Sequence, residues 1–386
     1  METIRVYVID SSVLVRQTMA NIIQNTDGTD ISDSVTADSP SGQIIGKIHR
    51  QKPDVVLLGL DSPESSTGQL FVTIRNTFPE LPVIILTPRT VEGGKAALFA
   101  LKKGAIEYIT KPAKSSNLLL AYRHLEKRLR PALQLVPDVN RKVLSSDGYS
   151  RLPQQKKAVD PTVQRIDRPV ELVVIGGCSG GVKALYPIVE RLPADLPVPV
   201  VIVQHMPRIY TRALAEELDE ITSLNVREAT YDSLLLPGQV YLAPGGYHAS
   251  IKNNAARKQI TLHRGPKEHR CRPSVDVLLR SVTQVYKNRV LTVFLSGSGR
   301  DGLLGARKIS ASGGQVILQS KETSLIWDLP AEIDKRSINE GEYDITDLAN
   351  EIAGRVKGLD ERVRVAPSIP LSRTSKGHGD YGYMRV

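Results

Sequence analysis

Three residues that could serve as a nucleophile, a base and an orienting acid each follow an apolar run that predicts a strand. Cys178 follows VVIGG, His205 follows VVIVQ, and Asp301 follows FLSGSGR. The carboxyl ends of parallel strands line one crevice, so these three side chains can meet there as a hydrolytic triad. Taken singly, His205 is also typical of a hydrogen-bonded core histidine, and Asp301 of a helix cap.

Two adjacent residues compete for the position of the nucleophile. The run Gly177-Cys178-Ser179-Gly180-Gly181 contains the pattern G-x-S-x-G, which would place Ser179 at the tip of a strand-to-helix turn. Cys178 is the alternative, because a thiol beside a histidine and a helix N-terminus acquires a lowered pKa and becomes a thiolate nucleophile.

The elements that must position these residues alternate between strand and helix in both halves of the chain. With 386 residues, two domains are expected, each large enough to bury a core. Five strand–helix repeats within 1–130 predict a flavodoxin-like domain with a five-stranded parallel sheet. Residues 169–357 predict a doubly wound, mostly parallel α/β domain, with β-hairpin additions in GQVYLAPGGYHASIKNNAARKQITLHRG. A linker is predicted at 131–168, and a basic, disordered tail at 358–386.

Composition excludes several classes of protein. No apolar run reaches the ~18 residues of a membrane span, and the N-terminal residues do not resemble a secretory signal. Two cysteines rule out a disulfide framework, so a cytoplasmic protein is expected. The net charge of +10 lies largely in the predicted linker and tail, where solvated charge is typical. Nucleic acid is not the expected partner, but binding of nucleic acid or of a membrane surface by those basic segments stays an open alternative.

The first half resembles the receiver domain of response regulators. Asp10 after the first strand, Thr87 after the fourth, and Lys111 before a proline after the fifth match that family's site. The phosphoacceptor is missing, because PDVVLLGLDSP places Gly59 where the family has aspartate. The resemblance therefore implies a pseudo-receiver that acts by contact rather than by phosphorylation.

Two further details of the receiver site follow from the residues. Asp61 lies two positions beyond Gly59, about 6.6 Å along an extended chain, and is more typical of a solvated turn than of a substitute phosphoacceptor. Ser11 stands where the family has its second acid, so no magnesium site is predicted. Asp10 and Lys111 are expected to pair with each other.

The second half resembles the catalytic domain of the chemotaxis protein-glutamate methylesterases (the CheB family) from 170 to 355. The matching motifs are VVIGGCSGG, LPADLPVPVVIVQHMP, YLAPGGYH, RCRPSVDVLL, LSGSGRDG and LPAEI. The resemblance implies hydrolysis of glutamate methyl esters, and deamidation of glutamines, on the cytoplasmic helices of methylated chemoreceptors. A chemotaxis histidine kinase is a further implied partner, and no cofactor or metal is implied.

The resemblance also assigns roles to individual residues. His205 takes the place of the base, Asp301 that of the orienting acid, and Cys178 the place where the family has its nucleophilic serine. Ser179, Gly180 and Ser298 fall in the substrate and oxyanion neighbourhood. Sulfur in place of oxygen predicts weakened activity, since a misplacement of ~1 Å costs about 10²-fold. The alternative function is a catalytically impaired regulatory scaffold that still binds receptors.

Cys271 lies in RCRPSVDV, a segment that borders the active site in the family. A disulfide between Cys178 and Cys271 would silence the nucleophile, and a passive thiol is the alternative.

Overall fold

The computed structural model describes residues 3–112, 118–137, 169–254 and 257–357. Most of the predicted linker, from 138 to 168, and the whole predicted tail, 358–386, lie outside the described residues.

The N-terminal domain is a parallel sheet covered by helices on both faces. Its strands occur in the order β2-β1-β3-β4-β5, and every pair is parallel. This arrangement confirms the predicted flavodoxin-like fold. The strands are β1 (Ile4–Ile9), β2 (Thr29–Val35), β3 (Val55–Gly59), β4 (Val83–Thr87) and β5 (Glu107–Thr110); the helices are α1 (Val13–Gln24), α2 (Ser41–Gln51), α3 (Ser66–Thr77), α4 (Val91–Lys102) and α5 (Leu118–Gln134).

Local sequence explains these elements. Every residue of β3 and β4 is buried, as the continuous apolar runs VVLLG and VIILT require of central parallel strands. Ser12, Ser65 and Thr90 cap α1, α3 and α4, since each side-chain oxygen accepts a backbone N–H of the first turn.

The C-terminal domain holds a larger parallel sheet and a small antiparallel one. The larger sheet has the order β15-β14-β13-β6-β7-β10-β8, and the small one the order β11-β12-β9. The strands are β6 (Leu172–Gly177), β7 (Val200–Gln204), β8 (Asn225–Glu228), β9 (Ser233–Leu234), β10 (Gln239–Leu242), β11 (His248–Asn254), β12 (Arg257–His263), β13 (Val290–Phe294), β14 (Gln315–Gln319) and β15 (Glu342–Tyr343); the helices are α6 (Gly181–Arg191), α7 (Arg208–Ile221), α8 (Val275–Tyr286), α9 (Leu303–Ala311), α10 (Asp328–Asp334) and α11 (Ile345–Lys357).

The prediction of hairpins for the stretch that begins at GQVYLAPGG was wrong for its first strand. β10 joins the large sheet between β7 and β8 and is parallel to both. Both of its faces are covered, with Val240, Tyr241 and Leu242 fully buried, so alternation in the sequence did not mark a solvated face. Only β11 and β12 form the expected hairpin.

The last helix of the first domain, α5, continues to Gln134, four residues beyond the predicted end at 130. The division into 1–130, 131–168, 169–357 and 358–386 otherwise stays a prediction. None of the helices within the described ranges is both long and apolar enough to cross a membrane.

The two domains pack against each other around Tyr210 of α7. Its hydroxyl lies 2.9 Å from Thr87 Oγ1 and donates to the Pro88 carbonyl oxygen at 2.9 Å. Its ring meets Tyr108 of β5 edge-on, with 5.2 Å between the ring centroids. Gly94 leaves room for this ring, because a Cβ there would lie 2.7 Å from Tyr210 Cδ1. Thr87, a predicted receiver-site residue of the first domain, is therefore in contact with the second domain.

Candidate active site

The three predicted triad residues lie at the carboxyl ends of three adjacent strands. Cys178 directly follows β6, His205 directly follows β7, and Asp301 lies on the loop between β13 and α9. β6 is the first strand of this sheet along the chain, and it lies between β7 on one side and β13 on the other. The site therefore lies at a topological switch point, where open parallel sheets leave a crevice.

Glycines allow the turn that carries Cys178 to pack closely. Gly180 has φ 80° and directly precedes α6, and a Cβ there would lie 2.5 Å from Ser296 Oγ. A Cβ at Gly297 would lie 2.8 Å from the Cβ of Cys178. The Cys178 backbone is fixed on both sides, since its N–H donates to Ser296 and its carbonyl accepts from Gln204 Nε2 at 2.7 Å. The thiol is thus held on a rigid turn at the N-terminus of a helix.

His205 is oriented by Asp301. The distance from His205 Nε2 to Asp301 Oδ2 is 2.7 Å, and the aspartate side chain is only 3% exposed. Burial alone would raise the pKa of Asp301, but the His205 imidazole, the Ser274 hydroxyl and the Val275 N–H outweigh it and lower that pKa. Asp301 is therefore an anion that keeps a proton on His205 Nε2.

The first turn of α8 holds Asp301 in place. Its Oδ1 accepts from Ser274 Oγ at 2.6 Å and from the Asp276 N–H at 3.1 Å, while Oδ2 accepts from the Val275 N–H at 2.8 Å. A helix N-terminus favours an anion through its free N–H groups and its dipole. Asp301 thus caps α8 and orients His205 at the same time.

Cys178 and His205 shift each other's pKa. Burial opposes the thiolate, but the hydrogen bond and charge of His205 outweigh it and lower the pKa of Cys178. Burial likewise opposes the imidazolium, but hydrogen bonds with Asp301 and Cys178 raise the pKa of His205 well above its ordinary value. Both shifts favour a thiolate–imidazolium pair, the reactive form of a cysteine nucleophile.

Ser179 is engaged elsewhere. Its side chain acts on Glu107 of β5, a half-buried carboxylate contributed by the N-terminal domain, and lowers the pKa of that group. Burial raises the pKa of Glu107, and the Ser179 side chain offsets only part of that rise. Sequence reasoning missed Glu107, because nothing in the sequence pairs a strand of one domain with a turn of the other.

The three residues predicted for the substrate and oxyanion neighbourhood lie on two different loops. Ser179 and Gly180 lie between β6 and α6, and Gly180 directly precedes the helix. Ser298 is an exposed residue on the β13–α9 loop, next to the glycine that abuts Cys178. Sequence reasoning also missed Ser274, although a serine before the apolar run VDVLL is a signal for a helix cap.

Both cysteines are free thiols and approach the same imidazole. Cys271 Sγ lies 3.6 Å from His205 Nδ1, the ring nitrogen that Asp301 does not use. The structure contains no bond between Cys178 and Cys271, and each side chain is half-buried.

The receiver-site residues are arranged as the missing phosphoacceptor predicts. Lys111 Nζ lies 2.9 Å from Asp10 Oδ2 and 3.3 Å from the exposed Asp61. A Cβ at Gly59 would lie 2.1 Å from Asp10 Oδ2, so the ion pair fills the space of the absent side chain. The expected Asp10–Lys111 pair is present. The site does not fit a magnesium ion, because Ser11 supplies no carboxylate and Asp10 is neutralised by the lysine.

We expect small phosphodonors such as acetyl phosphate to leave the N-terminal domain unlabelled and the C-terminal domain unstimulated. Glycine at position 59 offers no acceptor oxygen, and Lys111 already neutralises Asp10. Intact-protein mass spectrometry after incubation with the donor and Mg²⁺ checks this, with a phosphorylatable receiver domain as the positive control. A phosphate mapped to Asp61 would refute it.

The fold and the site define a two-domain protein in which a receiver-type sheet is joined to a parallel α/β domain that carries a cysteine–histidine–aspartate site. Residues 6–123 match the response regulator receiver domain model, and residues 173–352 match the CheB methylesterase model. The chain belongs to the CheB methylesterase family.

Individual relatives extend over nearly the whole chain. A protein-glutamate methylesterase/protein-glutamine glutaminase of Trichodesmium erythraeum is 36% identical over 358 residues, which cover 92% of this chain and 100% of that protein. One of the same name from Clostridium acetobutylicum is 31% identical over 370 residues, 93% of this chain and 99% of the relative. The crystal structure of the Thermotoga maritima CheB methylesterase catalytic domain is 34% identical and covers 48% of this chain and 98% of its own, with a TM-score of 0.47.

Proposed function

We propose that this protein hydrolyses glutamate γ-methyl esters, and the side-chain amides of glutamine, on chemoreceptors, with Cys178 as nucleophile, His205 as acid and base, and Asp301 as the orienting carboxylate. The observation that carries the proposal is the position of Cys178, His205 and Asp301 at the ends of three adjacent strands, with His205 Nε2 2.7 Å from Asp301 Oδ2. The names of the curated relatives support the choice of substrate.

The first step transfers the glutamyl group to sulfur. The Cys178 thiolate attacks the ester carbonyl carbon, and the new oxyanion meets the N–H groups at the start of α6. As the tetrahedral intermediate collapses, the C–O bond to methoxide breaks and protonated His205 delivers its proton, so methanol leaves. The products are a neutral His205 and a thioester on Cys178.

The second step hydrolyses the thioester. Neutral His205 takes a proton from water, the hydroxide attacks the thioester carbonyl, and the carbon–sulfur bond breaks. Glutamic acid leaves and ionises in solvent, which restores the thiolate–imidazolium pair. With a glutamine substrate the same steps release ammonia instead of methanol.

Cys178 rather than Ser179 is the nucleophile in this proposal. His205 lowers the pKa of the Cys178 thiol, whereas the Ser179 side chain acts on Glu107 rather than on His205. The weakened activity expected for sulfur at an oxygen-shaped site stays a prediction.

The partners and location follow from the same family. The substrate is the methylated cytoplasmic helix of a chemoreceptor, which places the reaction in the cytoplasm. A chemotaxis histidine kinase is a docking partner of the N-terminal domain, and the Asp10–Lys111 pair supports contact rather than phosphoryl transfer as the mode of control.

The test is release of labelled methanol from a methyl-labelled receptor by the purified full-length protein, measured beside a binding assay on the same receptor. Methanol release that requires His205 supports the enzyme. Receptor binding without any methanol release would instead establish the regulatory scaffold.

We expect kcat/KM of the wild-type protein and of Cys178→Ser to change in opposite directions as pH rises through the pKa of His205. The wild type is active as a Cys178 thiolate beside a protonated His205. The lowered pKa of Cys178 lets this pair form below the usual pKa of a thiol, and the raised pKa of His205 preserves it above the usual pKa of a histidine. A serine needs neutral His205 as its base, so the variant's rate rises with pH through the histidine pKa. The wild-type to variant ratio of kcat/KM therefore falls as pH rises, and parallel profiles would contradict the ion pair.

A further inference from the structure

Two arginines contact one tyrosine beside the candidate active site. Arg208 Cζ lies 5.4 Å and Arg264 Cζ 4.8 Å from the centroid of the Tyr247 ring, and Arg264 Nη2 donates to the tyrosine hydroxyl at 2.7 Å. Both arginines are exposed, and the tyrosine is half-buried. We call these three side chains the arginine–tyrosine cluster. Because an aromatic ring attracts a cation, the cluster holds two guanidinium groups in place at the surface.

The arginine–tyrosine cluster adjoins His205 through two segments of the chain. Arg208 is the third residue after His205. Gly246, the residue before the tyrosine of the cluster, donates its N–H to the carbonyl oxygen of Arg272 at 2.9 Å. Arg272 directly follows Cys271, whose Sγ lies 3.6 Å from His205 Nδ1. The cluster therefore lies where residues that flank the reacting group of a protein substrate would bind.

Positive charge exceeds negative charge around the cluster. The segment RGPKEHRCR, residues 264–272, contains four lysines and arginines and a single acid, Glu268. Glu268 already pairs with Arg280, and the neighbouring Asp276 lies 3.2 Å from His269 Nε2. Within the ranges that the structure describes, neither arginine of the cluster forms an ion pair with a carboxylate. Guanidinium N–H groups are therefore left for a ligand.

We propose that the arginine–tyrosine cluster binds carboxylate side chains that flank the scissile ester, and so makes the enzyme prefer acidic helical segments. The inference rests on the proposed function and names the residues that select its substrate. A guanidinium group matches a carboxylate, because its planar edge donates two parallel hydrogen bonds. Residues one turn apart share a face of a helix, so an acidic residue there lies on the same side as the ester.

An acidic peptide fits the cluster better than a nucleic acid does. Single-stranded nucleic acid is bound by stacking of its bases on aromatic faces within a basic groove. The ring of Tyr247 is half-buried and is already contacted by two guanidinium groups, so it offers no free platform for a base. Carboxylates need only the hydrogen-bond donors at the guanidinium edges.

The test compares two synthetic helical peptides that each carry one glutamate γ-methyl ester, flanked one turn away by glutamates in the first and by lysines in the second. We expect the full-length protein to hydrolyse the acidic peptide with a kcat/KM at least about 10-fold higher, chiefly through KM. The double variant Arg208→Glu/Arg264→Glu should reverse this preference, and added salt should weaken it in the wild type. Equal kcat/KM of the wild type on both peptides refutes the proposal.

Two controls separate the cluster from general effects. Lys287→Glu reverses an exposed charge at the end of α8, before β13 and thus at the opposite edge of the large sheet, and should keep the wild-type preference. An equal loss of preference in this variant would show that net charge alone matters and would overturn the cluster. A small, blocked glutamate γ-methyl ester reports damage to the active site. In the double variant, the loss of kcat/KM on the acidic peptide should exceed any loss on this ester by about 10-fold.

Binding measurements separate this proposal from the proposed function. Fluorescence anisotropy of the labelled peptides needs no turnover. A preference for the acidic peptide that the double variant loses, without any release of methanol, supports the cluster and refutes the proposed function alone. Equal hydrolysis of both peptides refutes the cluster alone. Labelled DNA that binds more tightly than the acidic peptide, and loses affinity in the same double variant, would overturn the choice of an acidic protein segment.

Discussion

Replacing Cys178 by alanine is expected to lower the turnover of methylated receptor by at least about 10⁴-fold, because removal of a triad nucleophile leaves only binding and oxyanion stabilisation. Cys178 is the side chain in this turn whose pKa His205 lowers. Release of labelled methanol under single-turnover conditions measures the loss. Receptor binding, measured separately, should not change.

Two neighbouring substitutions are the controls for this result. Ser179→Ala removes a hydroxyl that acts on Glu107 rather than on His205 and should change turnover by less than about 10-fold. Cys178→Ser should retain measurable activity, since it restores the oxygen for which the family's site is built. If Ser179→Ala were inactive and Cys178→Ala active, the assignment of the nucleophile would be wrong.

Replacing Asp301 by asparagine is expected to lower kcat by about 10⁴-fold, the size of effect seen when a triad aspartate becomes an amide. An amide NH₂ opposite His205 Nε2 removes the anion that raises the pKa of His205 and favours the wrong tautomer. The thiolate of Cys178 should then form only at higher pH. The pH dependence of alkylation of Cys178 by iodoacetamide reads this out independently of turnover.

Ser274→Ala is the matched control for damage to α8. It removes a hydrogen bond to Asp301 and the cap of the helix, but leaves the contact between Asp301 and His205 in place. We expect a loss of about 1 kcal/mol in the free energy of unfolding and less than about a 10-fold loss in kcat. A loss of activity as large as that of Asp301→Asn would show that the aspartate acts through helix stability rather than through His205.

Most of the fold could be predicted from local patterns. Continuous apolar runs such as VVLLG and VIILT are buried on both faces in a parallel sheet, and the alternation of strand and helix requires crossovers that cover it. β10 was predicted wrongly because its short run QVYL looks the same in a hairpin and in a covered parallel strand. Its position between β7 and β8 depends on pairing partners far away in the sequence.

The candidate site, like the fold, could be predicted from the sequence only in part. The amino-acid sequence by itself determined which chemistry is available: a thiol where the family has serine, a histidine and an aspartate after two further strands, and a glycine where a receiver has its phosphoacceptor. These are properties of residue type and of position relative to a strand end, and both are local.

Only the tertiary structure decided how these groups are used. It brings Cys178 to His205 and Ser179 to Glu107, and it places Cys271 on the same imidazole. Each contact joins segments far apart in the chain, so its distance depends on how sheets and domains pack. Hydrogen-bond and Coulomb energies depend on those distances and on burial, which is why the pKa shifts could not be read from the sequence.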